Sequence, residues 1–292
     1  MTSSIISGKT KVCGVIGDPI EHTMSPVMQN TAFSQLGLDY VYVAFRVKGE
    51  VLGEAMGGMR GFGIAGLNVT IPHKVTVIPF LDELDPLAEK IGAVNTITNN
   101  NGVLKGYNTD AMGFFQTLLD RGVRPKGKNI VILGAGGASK AISFILAENG
   151  AELVILNRRE ELDWAEHLAG QISRNFEKEV PARELSEANL AAALEKADVL
   201  VNATSVGMIP NASETPVPAR LLRPELVVFD IVYNPTETRL LREAAQAGAK
   251  TIGGLTMLAW QGALAFEMWT GQQAPVALME REAIKFLKGK QS

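Results

Sequence analysis

The chain has 292 residues, 46% hydrophobic and 20% charged, enough apolar material for one large domain or two ordinary ones. Its formal net charge of -3 provides no broad basic surface, which argues against nucleic acid or an anionic membrane as partner and favours a small-molecule substrate. One cysteine and three widely separated histidines allow neither a disulfide framework nor a zinc spacing, so no metal is expected.

Residues Met1 to Ser7 lack the basic start and long apolar stretch of a signal peptide, and the expected location is the cytoplasm. Strands are predicted near Lys11 to Ile16, Tyr40 to Arg46 and Ile64 to Val69, with helices between them from Pro26 and Gly49. Cys13 lies in the first apolar run and reads as buried filler. An irregular stretch follows from Ile91 to Asn108. The helical pattern from Asp110 to Arg121, before Gly122 and Pro125, reads as a connector between two domains.

From Lys128 the pattern tightens into β-α-β units: strand Asn129 to Leu133, helix to Asn149, strand Glu152 to Leu156, helix from Glu160. Later strands are read at Asp198 to Asn202 and Leu226 to Ile231. The uncharged stretch Thr251 to Phe266 is too short to span a bilayer and reads as a buried helix. Leu255 to Leu287 is helical and can return to the first domain. The whole is an α/β chain with mostly parallel strands, divided into residues 1–110, completed by helices 255–292, and residues 111–254.

The apolar strand Asn129–Leu133 runs directly into Gly134-Ala135-Gly136-Gly137-Ala138-Ser139 and a helix. Gly134 permits a tight turn, Gly136 lets a pyrophosphate approach the backbone, and the new helix offers free N–H groups and a positive dipole end. This is the setting of a dinucleotide site, although Ser139 stands where glycine or alanine is usual. The next strand ends in Asn157-Arg158-Arg159, where NAD-binding domains carry an acid. Two permanently charged planar donors suit a 2′-phosphate, so NADP(H) is the expected cofactor. The competing reading is a solvated helix start in which these arginines accompany Glu160 and Glu161.

Three polar clusters follow apolar segments in the first half: His22-Thr23-Met24-Ser25-Pro26, Asn68-Val69-Thr70-Ile71-Pro72-His73-Lys74 and Gly106-Tyr107-Asn108-Thr109-Asp110. Open α/β sheets gather ligand-binding groups outside the carboxyl ends of their strands. Together with Gly92-Ala93-Val94-Asn95-Thr96, the glycine turn and Asn202-Ala203-Thr204-Ser205-Val206-Gly207-Met208, these clusters resemble the shikimate dehydrogenase family, including its quinate/shikimate relatives. The resemblance runs from about Val12 to about Gly271 and keeps the family's motif order.

The resemblance implies a two-domain α/β fold, an N-terminal substrate domain and a Rossmann-type NADP-binding domain with a cleft between them. It also implies NADPH-dependent, reversible reduction of 3-dehydroshikimate to shikimate in aromatic amino-acid biosynthesis. Carried over residue by residue, Lys74 and Asp110 match the catalytic pair. Thr23 and Ser25 match hydroxyls that hold the substrate carboxylate, and Asn68, Thr70, Asn95, Gln261 and Tyr233 match other substrate contacts. On the cofactor side stand Gly134, Ala135, Gly136, Gly137, Ala138, Asn157, Arg158, Arg159, Thr204, Ser205, Met208, Gly254 and Met257. The expected assembly is a monomer or homodimer.

An ammonium such as Lys74 beside a ketone oxygen stabilises the alkoxide formed on hydride arrival and supplies its proton. Asp110 can hold the lysine, accept from a substrate hydroxyl, and cap the following helix. His73 is an immediate neighbour facing another way and is not expected in catalysis. The chain departs from the family in four places: Thr23 replaces a common serine, Arg159 and Leu162 stand where threonine and a second basic residue are usual, and Thr256 replaces a glycine. Shikimate versus quinate preference therefore stays open, with a quinate or dual-specificity enzyme using NAD(P) as the alternative. A dinucleotide sensor without catalysis is the remote one, opposed by the intact Lys74 and Asp110.

Overall fold

The computed structural model describes residues 6–291. Of the N-terminal segment read for a leader, Met1 to Ile5 lie outside the described residues. The chain divides into two compact units, Met1–Gly113 with Leu258–Ser292, and Phe114–Met257.

In the first unit, β1 (Lys11–Gly17), β2 (Tyr40–Arg46) and β3 (Gly66–Val69) form a parallel core, with helices α1 (Ser25–Gln35) and α2 (Leu52–Gly61) in the two crossovers. The six-stranded sheet has the order β2-β1-β3-β5-β6-β4, where β4 is Glu83–Leu84, β5 is Thr96–Asn100 and β6 is Val103–Tyr107. β5 runs antiparallel to β3 and β6, so this sheet is mixed, a correction to the reading of 91–108 as irregular. The hairpin between β5 and β6 turns at Asn101-Gly102, with φ of 52° and 91°. Positive φ at both central residues matches the right-handed twist of paired strands, and Asn-Gly is the dipeptide that adopts it most readily.

Short helices α3 (His73–Thr76) and α4 (Pro86–Ile91) fill the edge of this unit. Asp85 caps α4 by accepting from Leu87 N at 3.0 Å, Pro86 starts it, and Gly92 ends it at φ 66°. Under the sheet, Ile16, Leu52, Met56, Met59, Leu67, Val69, Ile97 and Leu104 form a continuous buried core. The helix expected from Gly49 begins instead at Leu52, after a single 3₁₀ turn over Gly49–Val51.

Two C-terminal helices, α10 (Gly254–Thr270) and α11 (Val276–Gln291), bring residues from Leu258 onward to the first unit. Gln29 Nε2 donates to Gly262 O at 2.8 Å, and Trp269 Nε1 donates to Ile97 O at 3.0 Å. Both bonds are buried. Trp269 lies so close to β3 that a Cβ on Gly66 would sit 1.9 Å from its Nε1, which leaves only glycine at that position.

The second unit is a six-stranded, fully parallel sheet in the order β12-β11-β10-β7-β8-β9. Its strands are β7 (Asn129–Leu133), β8 (Glu152–Asn157), β9 (Ala182–Glu184), β10 (Val199–Asn202), β11 (Val227–Asp230) and β12 (Lys250–Gly253). Counted within the unit this is 3-2-1-4-5-6, the doubly wound dinucleotide-binding order, whose reversal point lies between β7 and β10. Helices α6 (Gly137–Glu148), α7 (Leu162–Phe176), α8 (Glu187–Leu194) and α9 (Arg239–Gln246) complete the crossovers. The apolar strands pack into a core around Val131, Leu133, Leu200, Val228 and Leu240.

Strands β9 and β12 escaped the sequence reading. Thr251 to Gly253 belong to β12 and not to a helix; the helix starts at Gly254, and α7 starts at Leu162 after a 3₁₀ turn over Arg159–Glu161. The division between the units falls inside α5 (Thr109–Asp120) and α10. Among the described residues no helix is long and apolar enough to cross a membrane.

Candidate active site

The end of β3 turns through Thr70, Ile71 and Pro72 into α3, and β6 leads through Asn108 into α5. These two exits set Lys74 and Asp110 face to face. Lys74 Nζ donates to Asp110 Oδ2 at 2.6 Å, and the side chains are 32% and 17% exposed. A partly desolvated, charge-assisted bond of this length fixes the ammonium while leaving it open to a ligand. Val94 N donates to Lys74 O at 2.7 Å, which anchors the backbone beneath the pair.

Asp110 sits in the first turn of α5, where a negative charge favours the helix dipole. The expectation that it caps the helix is corrected: Asn108 Oδ1 accepts from Ala111 N at 3.1 Å, and its Nδ2 donates to Ala93 O at 3.0 Å. With the helix start held by Asn108, the Asp110 carboxylate is free to bind Lys74.

Beneath the pair lies a buried amide network. Asn95 Oδ1 accepts from Thr109 N at 2.7 Å, from Thr109 Oγ1 at 3.1 Å and from Thr96 Oγ1 at 3.2 Å. Asn68 Nδ2 donates to Asn95 O at 3.2 Å and to Thr96 Oγ1 at 3.0 Å, and its Oδ1 accepts from Tyr42 Oη at 2.6 Å. Burial pushes the Tyr42 phenol well above its ordinary pKa, so it remains a donor. The structure thus brings Asn68 and Asn95 together, and adds Tyr42, Thr96, Asn108 and Thr109 to the residues that shape this region. The polar sequence motifs contain all of these except Tyr42.

At the start of α1, Thr23 and Ser25 are neighbours: Thr23 Oγ1 donates to Ser25 Oγ at 3.3 Å, and Ser25 N donates to Thr23 Oγ1 at 3.3 Å. Both are half-buried, so their hydroxyls remain available to an anionic group. Gln261 lies in α10, its Nε2 donating to Leu258 O at 2.9 Å. Its backbone presses on Gly113 of α5, where an added Cβ would meet Gln261 N at 2.8 Å. His73 faces inward: it is 1% exposed, and its Nε2 donates to Val47 O at 2.6 Å, a structural role. Cys13 is buried, and burial pushes its thiol up to about 12, consistent with inert filler.

In the second unit, Leu133 ends β7 and Gly134 turns at φ 98°, its N–H donating to Leu156 O at 2.8 Å. A Cβ there would meet Thr204 Cγ2 at 3.0 Å and Ala203 O at 3.1 Å, so the turns after β7 and β10 lie side by side. Gly136 and Gly137 are exposed with open space where a side chain would project. Ser139 is fully buried and its Oγ donates to Gly134 O at 2.6 Å. The one irregular position of the fingerprint therefore braces the turn. A left-handed glycine, bare exposed backbone and a fresh helix N-terminus fit a dinucleotide pyrophosphate.

Asn157 is buried and donates from Nδ2 to Glu161 O at 2.7 Å, which shapes the exit from β8. Arg158 is exposed and pairs with Glu161. Arg159 is exposed beside it. A 2′-phosphate here would meet two guanidinium groups but would compete with the Glu161 carboxylate for one of them.

Across the sheet, Asn202 builds the next turn. Its Oδ1 accepts from Thr204 Oγ1 at 2.6 Å and Thr204 N at 3.1 Å, and its Nδ2 donates to Asp230 Oδ1 at 2.9 Å. Asp230 also accepts from Thr238 Oγ1 at 2.6 Å and Val232 N at 3.1 Å. Ser205, Met208 and Tyr233 are exposed, whereas Met257 is 8% exposed. A Cβ on Gly254 would meet Ile231 O at 2.1 Å, so close helix-to-strand packing explains the glycine there. Among the described residues, no group of three or more histidine, cysteine or acidic side chains is placed to hold a metal.

Comparison with known proteins gives a consistent set of matches. The shikimate dehydrogenase substrate binding domain matches residues 15–97, the shikimate/quinate 5-dehydrogenase domain residues 118–237, and the shikimate 5′-dehydrogenase C-terminal domain residues 254–284. The shikimate dehydrogenase (NADP(+)) of Dehalococcoides mccartyi strain CBDB1 is 48% identical over 270 residues, 92% of this chain and 94% of the relative. A crystal structure of a shikimate dehydrogenase in complex with NADP+ superposes with a TM-score of 0.91 at 44% identity, covering 98% of this chain and 99% of the other. That of the Thermus thermophilus enzyme with NADP(H) and shikimate gives 0.84 at 39% identity, covering 94% and 99%.

Proposed function

The chain belongs to the shikimate dehydrogenase family, and from that membership we propose that it catalyses the reversible NADPH-dependent reduction of 3-dehydroshikimate to shikimate. The observation that carries this reading is the 2.6 Å Lys74–Asp110 pair, partly open to solvent and braced from below by the Asn95–Thr109 bonds.

When bound, the dinucleotide supplies the hydride that adds to the ketone carbon. Lys74 then faces a developing alkoxide: its ammonium stabilises the negative charge and gives up one proton, and the product is the neutral alcohol. Asp110 keeps the ammonium aimed at that oxygen and offers its second carboxylate oxygen to a neighbouring substrate hydroxyl. Lys74 is exposed enough to regain its proton from solvent. Thr23 and Ser25 receive the substrate carboxylate through hydroxyl donors, while Asn68, Thr70, Asn95, Gln261 and Tyr233 are assigned to the remaining polar groups of the ring.

Gly134 to Ala138 are assigned to the pyrophosphate, Arg158 and Arg159 to the 2′-phosphate, and Thr204, Ser205, Met208, Gly254 and Met257 to the nicotinamide end. Such an enzyme works where the NADPH pool is held, in the cytoplasm, as a monomer or homodimer. The test is a spectrophotometric comparison of shikimate and quinate, each with NADP and NAD. Fastest turnover with shikimate and NADP is expected. Negligible turnover of that pair would overturn the proposal, and equal efficiency with quinate would make the enzyme dual-specific.

A further inference from the structure

Of the two guanidinium groups assigned to the cofactor phosphate, Arg158 is engaged by Glu161. Another cation lies nearby in the fold. Between α6 and α7 runs a groove of about 480 Å³ lined by Ala135, Lys140, Asp163, Trp164 and His167 among others. Ala135 belongs to the glycine turn, so the groove shares a wall with the region assigned to the pyrophosphate. Sheet order places the end of β8, with Arg158 and Arg159, next to the end of β7.

Two features of the groove call for a ligand. Lys140, one turn into α6, is half-buried, yet its ammonium has neither a hydrogen-bond acceptor nor a carboxylate within ion-pair distance among the described residues. Burial alone depresses its proton affinity, with no charged neighbour acting to restore it. A partly desolvated cation without a counterion is destabilising, and an anion arriving with a ligand relieves that. Trp164 is 53% exposed, an uncommon placement for so large an apolar ring, and its indole is available to stack on a flat heterocycle.

We propose that Lys140 is a further cation of the 2′-phosphate site, supplied from α6 beside Arg158 and Arg159, with Trp164 alongside the adenosine. This inference rests on the NADP-dependent reading above. It makes Lys140 a specificity-determining residue: it distinguishes NADP from NAD without touching the reacting atoms. Asp163, on the same wall, opposes the phosphate electrostatically and makes a single positive charge on α6 matter more.

The test is equilibrium binding of 2′,5′-ADP, 5′-AMP, NADPH and NADH to the full chain, followed by calorimetry and by tryptophan fluorescence. Lys140→Gln should weaken 2′,5′-ADP and NADPH by about tenfold, the scale of one lost charge-assisted bond, with 5′-AMP and NADH nearly unchanged. Lys140→Arg should keep the preference, which separates loss of charge from loss of fold. The fluorescence change caused by 2′,5′-ADP should disappear in Trp164→Phe. Unchanged 2′,5′-ADP affinity in Lys140→Gln, with Arg158→Ala weakened, overturns the assignment of Lys140 but leaves the NADP reading standing. If the wild-type chain binds 2′,5′-ADP no better than 5′-AMP, the NADP reading falls and the assignment of Lys140 falls with it.

Discussion

Replacing Asp230 by asparagine tests how the second unit is held together. The Asp230 side chain is fully buried, and burial raises its pKa from 3.8 to about 6 even though Thr238, Val232 and Asn202 all donate to it. A carboxyl group with a raised folded pKa holds its proton more tightly in the native chain than in the unfolded one. Its contribution to stability is therefore complete below about pH 4 and is lost as the pH rises through about 6. A shift of about two units, at 1.36 kcal/mol each, amounts to about 3 kcal/mol. Asp230→Asn keeps the shape and one acceptor oxygen, and its amide can donate to Thr238 Oγ1, but it does not titrate. The assay is urea unfolding of both proteins from about pH 4 to about pH 7, compared as wild type minus variant. Carboxylates held low by arginine, such as Asp82 beside Arg60 and Glu161 beside Arg158, change in the opposite direction but cancel in this difference. The difference should fall by about 3 kcal/mol across the lower window and be flat above it. A difference that stays level or rises with pH would refute the reasoning.

Three further outcomes follow from the geometry. Lys74→Ala should reduce kcat by about two orders of magnitude or more, with dinucleotide affinity nearly unchanged, because it removes the proton donor and alkoxide partner; near-normal turnover would take Lys74 out of the mechanism. Arg158→Ala should weaken NADP by about tenfold and leave NAD alone, since only NADP carries the phosphate; equal losses for both in titration would contradict the assignment. Gly66→Ala forces a methyl group to within 1.9 Å of Trp269 Nε1 and should destabilise the chain by about 3 kcal/mol or more. A denaturation midpoint equal to wild type would show that α10 packs elsewhere.

Elements whose sequences obey one rule at a time were legible. Asn129 to Leu133 is wholly apolar after its first residue and is followed by Gly134, so strand, turn and helix follow in order. The β5–β6 hairpin was harder because Thr96-Ile97-Thr98-Asn99-Asn100 mixes buried and exposed polar residues. Its one clear sign is Asn101-Gly102, a dipeptide that favours a two-residue hairpin turn. β12 merged with the helix after it because Thr251 to Phe266 is uncharged throughout. The boundary is set by a tertiary contact, the Ile231 carbonyl against Gly254, that no local pattern reveals. Asp110 is an acid at a helix start, as many caps are, but Asn108, two residues earlier, takes that role through Ala111 N, a distinction set by geometry and not by residue type.

The polar residues of the candidate site divide by whether their atoms are already committed. Asn95 gives its side-chain oxygen to Thr109 and Thr96, and Asn68 uses both ends of its amide on Tyr42, Asn95 and Thr96. Those bonds fix where α5 begins, and therefore where Asp110 points. Lys74, Thr23 and Ser25 keep partly exposed heads, Lys74 paired with Asp110 and the two hydroxyls with each other. A buried amide network is stabilising only when its members are satisfied, so Asn68 and Asn95 cannot be removed without leaving donors such as Thr109 N unpaired. Their effect on turnover would then pass largely through the position of Asp110. The residue types needed for chemistry and those needed to aim it occur in the same short motifs. That is why sequence motifs located the site, while the division of labour within it required the hydrogen bonds.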